Sequence, residues 1–144
     1  MAQLKEGTTI GGVDILHILD LLDIELGRNE NGNWVRWNNG LQMCWIVKPS
    51  WPGAVVDTAW GNIYRSSTQL TWSYPKNFID NPFLAGGGSG SVSVVFSGST
   101  GRSNTESMVF RTERANASTT DPDIWLVAIG WWKTPEDPAE WSEE

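Results

Sequence analysis

The sequence predicts an all-β protein, an antiparallel β-sandwich of about six strands preceded by a short N-terminal oligomerising helix. Three observations predict it. After Gly27 short apolar runs recur at sheet-like spacing, separated by Gly, Asn, Ser and Pro. Asn39-Gly40, a pair that tolerates the positive dihedrals of a tight hairpin, sits between two of these runs. The one long apolar stretch with helical character, VDILHILDLLDIEL at residues 13–26, comes before all of them and is closed by Gly27.

The helix comes first in the chain. Its polar residues Asp14, His17, Asp20 and Asp23 recur every three positions, so they drift around a 3.6-residue turn and leave no clean solvent face. Copies of the same helix in a short parallel bundle would cover it. Residues 33–38 (NWVRWN) and 41–48 (LQMCWIVK) then form the hairpin around Asn39-Gly40. Further strands are expected at 69–74, 91–97, 106–113 and 124–132. The last is apolar on both faces from Ile124 to Ile129, so its outer face is expected to meet a neighbouring subunit. Three parts result: an attachment segment and trimerising helix at 1–27, a sandwich head at 28–133 and an acidic, Pro-bearing tail at 134–144.

Composition narrows the functions. The net charge of −7, with no Lys/Arg cluster to offset it, disfavours a phosphate backbone or an anionic lipid surface, so no nucleic acid and no membrane insertion are expected. The N-terminus lacks the basic start and apolar stretch of a secretory signal. Cys44 and His17 are each single, which excludes an internal disulfide and a Cys/His zinc set; no metal or cofactor is expected. Ten tryptophans remain to be explained. On strands they belong to a core or seam, whereas in loops they offer stacking faces.

Two connections are long: residues 49–68, carrying Trp51, Trp60, Tyr64 and Arg65, and residues 75–90, ending in the flexible-looking run Gly86-Gly87-Gly88-Ser89-Gly90. Sugar binding needs flat aromatic faces and planar polar groups. The first connection supplies such a set, and Arg114 and Asn116, with Asp121, supply a polar set between the last two strands. If residues 33–38 run away from the helix, the alternation of a meander puts Asn38-Asn39, 75–90 and 114–123 at the tip and the aromatic loop nearer the shaft. A tip site would then use Arg114 and Asn116, and a lateral groove between subunits would use Trp51, Trp60, Tyr64 and Arg65.

The stretch ELGRNENGNWVRWNNGLQMCW resembles the opening of the C-terminal receptor-binding domain of phage and prophage tail fibres. LTWSYPKNFIDNPFL resembles that family's second landmark and WLVAIGWWK its closing strand, while the leader LKEGTTIGGVDIL is similar to the link that ties such domains to a fibre shaft. The resemblance implies a homotrimer with an H-type lectin-like head that attaches to bacterial surface glycans. It also implies a virion location, with another virion protein holding the N-terminal segment, the more so if 144 residues is the whole gene product.

Two alternatives stand beside it. One is a structural trimerisation cap without a ligand. The other is a polysaccharide depolymerase, which needs two carboxylates about 5 to 10 Å apart. Asp57, Asp80, Glu106, Glu113, Asp121 and Asp123 show no spacing that forces such a pair, and no Gly-x-Ser-x-Gly or Walker-type loop is present, so no enzyme is expected.

Overall fold

The computed structural model describes residues 9–10, 13–14, 24–96 and 104–135. β1 (Thr9–Ile10) and β2 (Val13–Asp14) pair as a short antiparallel hairpin. The rest is an all-β sandwich of two antiparallel five-stranded sheets. One contains β3 (Ile24–Asn29), β4 (Gly32–Trp37), β5 (Leu41–Lys48), β9 (Phe83–Gly88) and β12 (Ile124–Trp131), in the order β3-β4-β5-β12-β9. The other contains β6 (Val56–Trp60), β7 (Ile63–Ser66), β8 (Leu70–Ser73), β10 (Ser93–Phe96) and β11 (Ser107–Arg114); β10 and β6 form its edges, and β7 and β8 lie end to end along β11.

The core lies between the sheets, where alternate residues point inward. β12 contributes Ile124, Leu126 and Ala128, β11 contributes Met108 and Phe110, and Trp72, Tyr74 and Phe78 stack edge to face in a chain with centroids 5.1 to 5.3 Å apart. Gln42, Cys44 and the Lys76 carbonyl form a polar cluster here, with Gln42 Nε2 donating to the Lys76 and Asn77 carbonyls. Burial pushes the Cys44 thiol up to about 11, and it raises the Tyr74 phenol as well.

Six strands fall where the sequence places them, and the Asn39-Gly40 turn closes β4 onto β5 with Gly40 at φ 101°. Four do not. Ile24–Asn29, whose first residues were assigned to the helix, form edge strand β3, and Val13–Asp14 at its other end form β2; residues 15–23 between them lie outside the described residues. The acidic tail from residue 136 lies outside them too.

The 49–68 connection folds into the β6-β7 hairpin. The run Gly86-Gly87-Gly88, expected to be flexible, is the C-terminal half of β9. Glycine is required there by packing: a Cβ at Gly86 would lie 2.7 Å from Leu126 Cδ2 and from the Trp125 carbonyl oxygen, and one at Gly87 would lie 2.8 Å from Trp125 Nε1. Trp34 covers Gly27 of β3 in the same way, a large ring across a strand glycine.

The extra strands change the parity expected from the sequence: β3 reverses it for the Asn38-Asn39 turn and the 49–55 link, and β9 restores it, so the 114–123 connection stays at the end away from the chain entry. Because β3 precedes β4, the Asn38-Asn39 turn lies at the end where the chain enters the sheet at Ile24, beside Lys133 at its exit. The opposite end carries the 49–55 link and the 114–123 connection, tied together by Trp51 N–H to the Pro122 carbonyl (2.9 Å), Val55 N–H to Asp121 Oδ1 (3.0 Å) and Ser118 N–H to the Val56 carbonyl (2.8 Å). The aromatic segment and the Arg114–Asn116 segment, read as rivals at opposite ends, therefore share one end.

Candidate functional site: two outward faces and a distal hairpin

The register of each sheet fixes what it shows to its outside. The outward positions of the β3-β4-β5-β12-β9 sheet are Ile24, Leu26 and Arg28; Asn33, Val35 and Trp37; Leu41, Met43, Trp45 and Val47; Trp125, Val127, Ile129 and Trp131; and Phe83, Ala85 and Gly87. All but Arg28 and Asn33 are apolar. Leu26 is 72 % exposed and Phe83 84 %. Val35 is buried yet stands outside the inner core cluster. Between β5, β12 and β9 this face dips into an open groove of ≈ 370 Å³ lined by Trp45, Val47, Ala85, Trp125 and Val127.

The other sheet differs. With Met108, Phe110 and Thr112 pointing inward, its outward positions are Ser107, Val109, Arg111 and Glu113 on β11, Thr71 and Ser73 on β8, Ser93 and Val95 on β10, and Arg65 on β7. The β6-β7 hairpin extends this face past the end of β11. Gly61, at φ 62°, makes its turn, and a β-bulge between Val56 and Thr58 adds an extra residue to β6. Thr58 faces Arg65 and Trp60 faces Ile63 across the pair.

These positions sort the expected site residues. Trp60 is 51 % exposed, with the Arg65 guanidinium carbon 4.8 Å from its ring centroid. Arg65 is only partly exposed, and its Nε is buried with no hydrogen-bond partner among the described residues. Tyr64 lies on the opposite side of β7, packed against the core and directly across from Arg114. Asn116 is exposed on the 114–123 connection.

Trp51 is not at the surface. It is 7 % exposed, edge-on to Phe110 at 5.3 Å, with the Lys48 ammonium over its ring at 5.0 Å. Its loop position concealed this, since the link that carries it folds inward to close the sandwich.

Sequence reasoning also passed over Arg111 and Glu113, which share the outward face with Arg65. Alternation along SMVFRTER, with Met108 and Phe110 inward, is the signal that finds them. Arg111 Nη1 donates to the Ser66 carbonyl at 2.8 Å and bridges the break between β7 and β8, while Glu113 sits directly opposite Arg65. Asp121 and Asp123, two of the acids weighed for hydrolysis, accept hydrogen bonds from the Val55 and Ser50 N–H groups and fix the 49–55 link.

No family model matches the sequence, and neither does any curated protein. Solved structures do match. A C-terminal fragment (residues 323–701) of the P. aeruginosa R1 pyocin fibre aligns with a TM-score of 0.52 at 18 % identity over 76 % of this chain, which spans 28 % of that fragment. An N-truncated R1-type pyocin tail fibre aligns with a TM-score of 0.50 at 17 % identity, over 87 % of this chain and 99 % of that one. The chain shares its fold with pyocin tail-fibre fragments.

Proposed function

We propose that this chain is the receptor-binding head of a phage-type tail fibre or spike, a component of a virion or phage-derived particle that attaches to glycans on a bacterial surface. The observation that carries this reading is the opposition of the two outward faces on a pyocin-fibre fold. A contiguous apolar sheet face of this extent marks an interface, and a second and third copy of the chain are its occupants. The chain enters the sheet at Ile24 and leaves at Lys133 on one end, which suits a parallel homotrimer held from its N-terminal side by another virion protein.

The end remote from that attachment carries the β6-β7 hairpin. Its half-exposed Trp60 offers the apolar platform a pyranose face requires, and Arg65, Arg114 and Asn116 offer planar polar groups for hydroxyls. Retention of the particle on a cell then comes from stacking and hydrogen bonding repeated three times, which multiplies a weak single contact. No hydrolysis is part of the proposal: Asp121 and Asp123 act as backbone acceptors.

The test is attachment of the assembled protein to host cells. Losing one aromatic anchor costs about 2 kcal/mol, some thirtyfold in affinity. Trp60→Ala should therefore abolish attachment with mass and Tm unchanged, and Arg114→Ala and Asn116→Ala should weaken it. Normal attachment by Trp60→Ala, Arg65→Ala, Arg114→Ala and Asn116→Ala alike would leave a structural cap in place of a receptor-binding head.

A further inference from the structure

We infer that the assembly is closed by contact between unlike edges of the apolar sheet, Phe83 on β9 of one copy packing against Leu26 on β3 of the next. The inference rests on the proposed trimer and names the contact that closes it. It starts from one row of side chains. Strand register sets Leu26, Val35, Met43, Ile129 and Phe83 side by side across β3, β4, β5, β12 and β9, so the five stand at one height along the strands. The two ends of this row, Leu26 and Phe83, are the most exposed large hydrophobic residues among the described residues, whereas Val35 between them is buried. Both ends lie on the edge strands of the sheet, the two places where another chain can approach it sideways.

Equal height is what lets such a contact close. Copies held side by side from the end where the chain enters at Ile24 and leaves at Lys133 stand with their strands along the common axis. Rotation about that axis carries one copy onto the next without raising it, so each end meets residues at its own height. Unlike ends at one height form a ring, whereas a difference in height would make every contact climb and the copies run on as a filament. The neighbouring rows bound the contact. Toward the entry end the next row also finishes in apolar side chains, Ile24 on β3 and Trp131 on β12. Away from it the next row finishes in Arg28 on β3 and Ala85 on β9, and pressing a guanidinium onto a methyl group would bury a charge without a partner. Close packing between copies therefore belongs to the half of the face nearest the attachment.

The test is thiol crosslinking of the assembled protein with Leu26→Cys and Phe83→Cys in one chain, the products being sized under denaturing conditions. Cys44 is buried, and wild type serves as its control. The double variant should yield covalent trimers as its largest product, and each single variant should remain as separate chains. Links in a single variant would mean that like edges meet, a product that stops at two chains would mean a pair, and a ladder past three would mean a filament. Each of these overturns the inference, as does a double variant that weighs three chains by light scattering and forms no links. If wild type still weighs three chains, the trimer stands with a different contact; wild type at one chain mass would sink both. Should the double Cys variant itself fall to single chains, Leu26→Glu with Phe83→Lys decides. Each alone should lose the trimer and the two in one chain should regain it at low salt, because acid and base then face each other across the contact. No recovery would overturn the inference.

Discussion

Both sheets bury alternate residues against a common core, and they diverge on the outside. β12 shows Trp125, Val127, Ile129 and Trp131 outward, whereas β11, a strand of the same eight-residue length, shows Ser107, Val109, Arg111 and Glu113. The inner residues of the two strands are equally buried, so folding alone does not account for the difference. What differs is the outer surface: one face presents apolar side chains, whose exposure to water costs free energy, and the other is largely polar. The same contrast separates two tryptophans nine residues apart, Trp51 in the core and Trp60 on the hairpin.

The largest effect should come from placing a charge on the apolar face. Ile129→Asp should convert the assembly to single chains of 16.0 kDa, as read by light scattering, while Thr71→Glu on the other sheet should leave the mass unchanged. An Ile129→Asp protein that still weighs three chains would move the interface elsewhere.

Next come the two tryptophans. Trp51→Ala should destabilise the fold by about 3–5 kcal/mol, as large aromatic truncations in cores do, with a drop in Tm of many degrees. Trp60→Ala should shift Tm little. Equal losses from both would place Trp60 in the core and remove it from the surface site.

Smaller, and confined to high pH, is the effect of the buried thiol. Cys44 has its pKa raised from 9.0 to about 11 by burial, so the folded state keeps a proton that the unfolded chain gives up. Stability is full below about pH 9 and falls as pH rises from 9 towards 11, by up to about 3 kcal/mol, with Tyr74 adding to the decline above pH 10. Thermal melts from pH 8 to 11 should show this as a falling Tm. Cys44→Ala should flatten the lower part of the slope.

Much of the sandwich was legible. β4, β5 and their Asn39-Gly40 turn, together with β8, β10, β11 and β12, follow from period-two patterning and turn residues, and the doubly apolar β12 pointed directly to the outer face that the register displays. Strand β9 was hidden because its glycines read as flexibility, when each makes room for Leu126, Trp125, or Ile124 and Val92. β3 was hidden by the apolar run at 13–26, which reads as one helix closed by Gly27. Missing it displaced the site more than any other error, since one strand too few exchanges the two ends of a meander. The composition of the site was readable from Trp60, Arg65, Arg114 and Asn116. That they share one end of the sandwich was not, because it depends on β7 pairing with β11 across 48 residues, which sets Arg65 opposite Glu113 on one face and Arg114 opposite Tyr64 on the other.

Hydroxyl-radical footprinting of the assembled protein, read residue by residue with mass spectrometry, tests both halves of the division between faces at once. Phe83, Trp125 and Trp131, exposed on a single chain, should be protected in the assembly, while Trp60 should react readily. Adding host cell envelope should then protect Trp60 and leave the other three as they were. If Phe83 and Trp125 react as readily as Trp60 in the assembled protein, or if envelope leaves Trp60 unprotected, the two faces do not divide assembly from attachment.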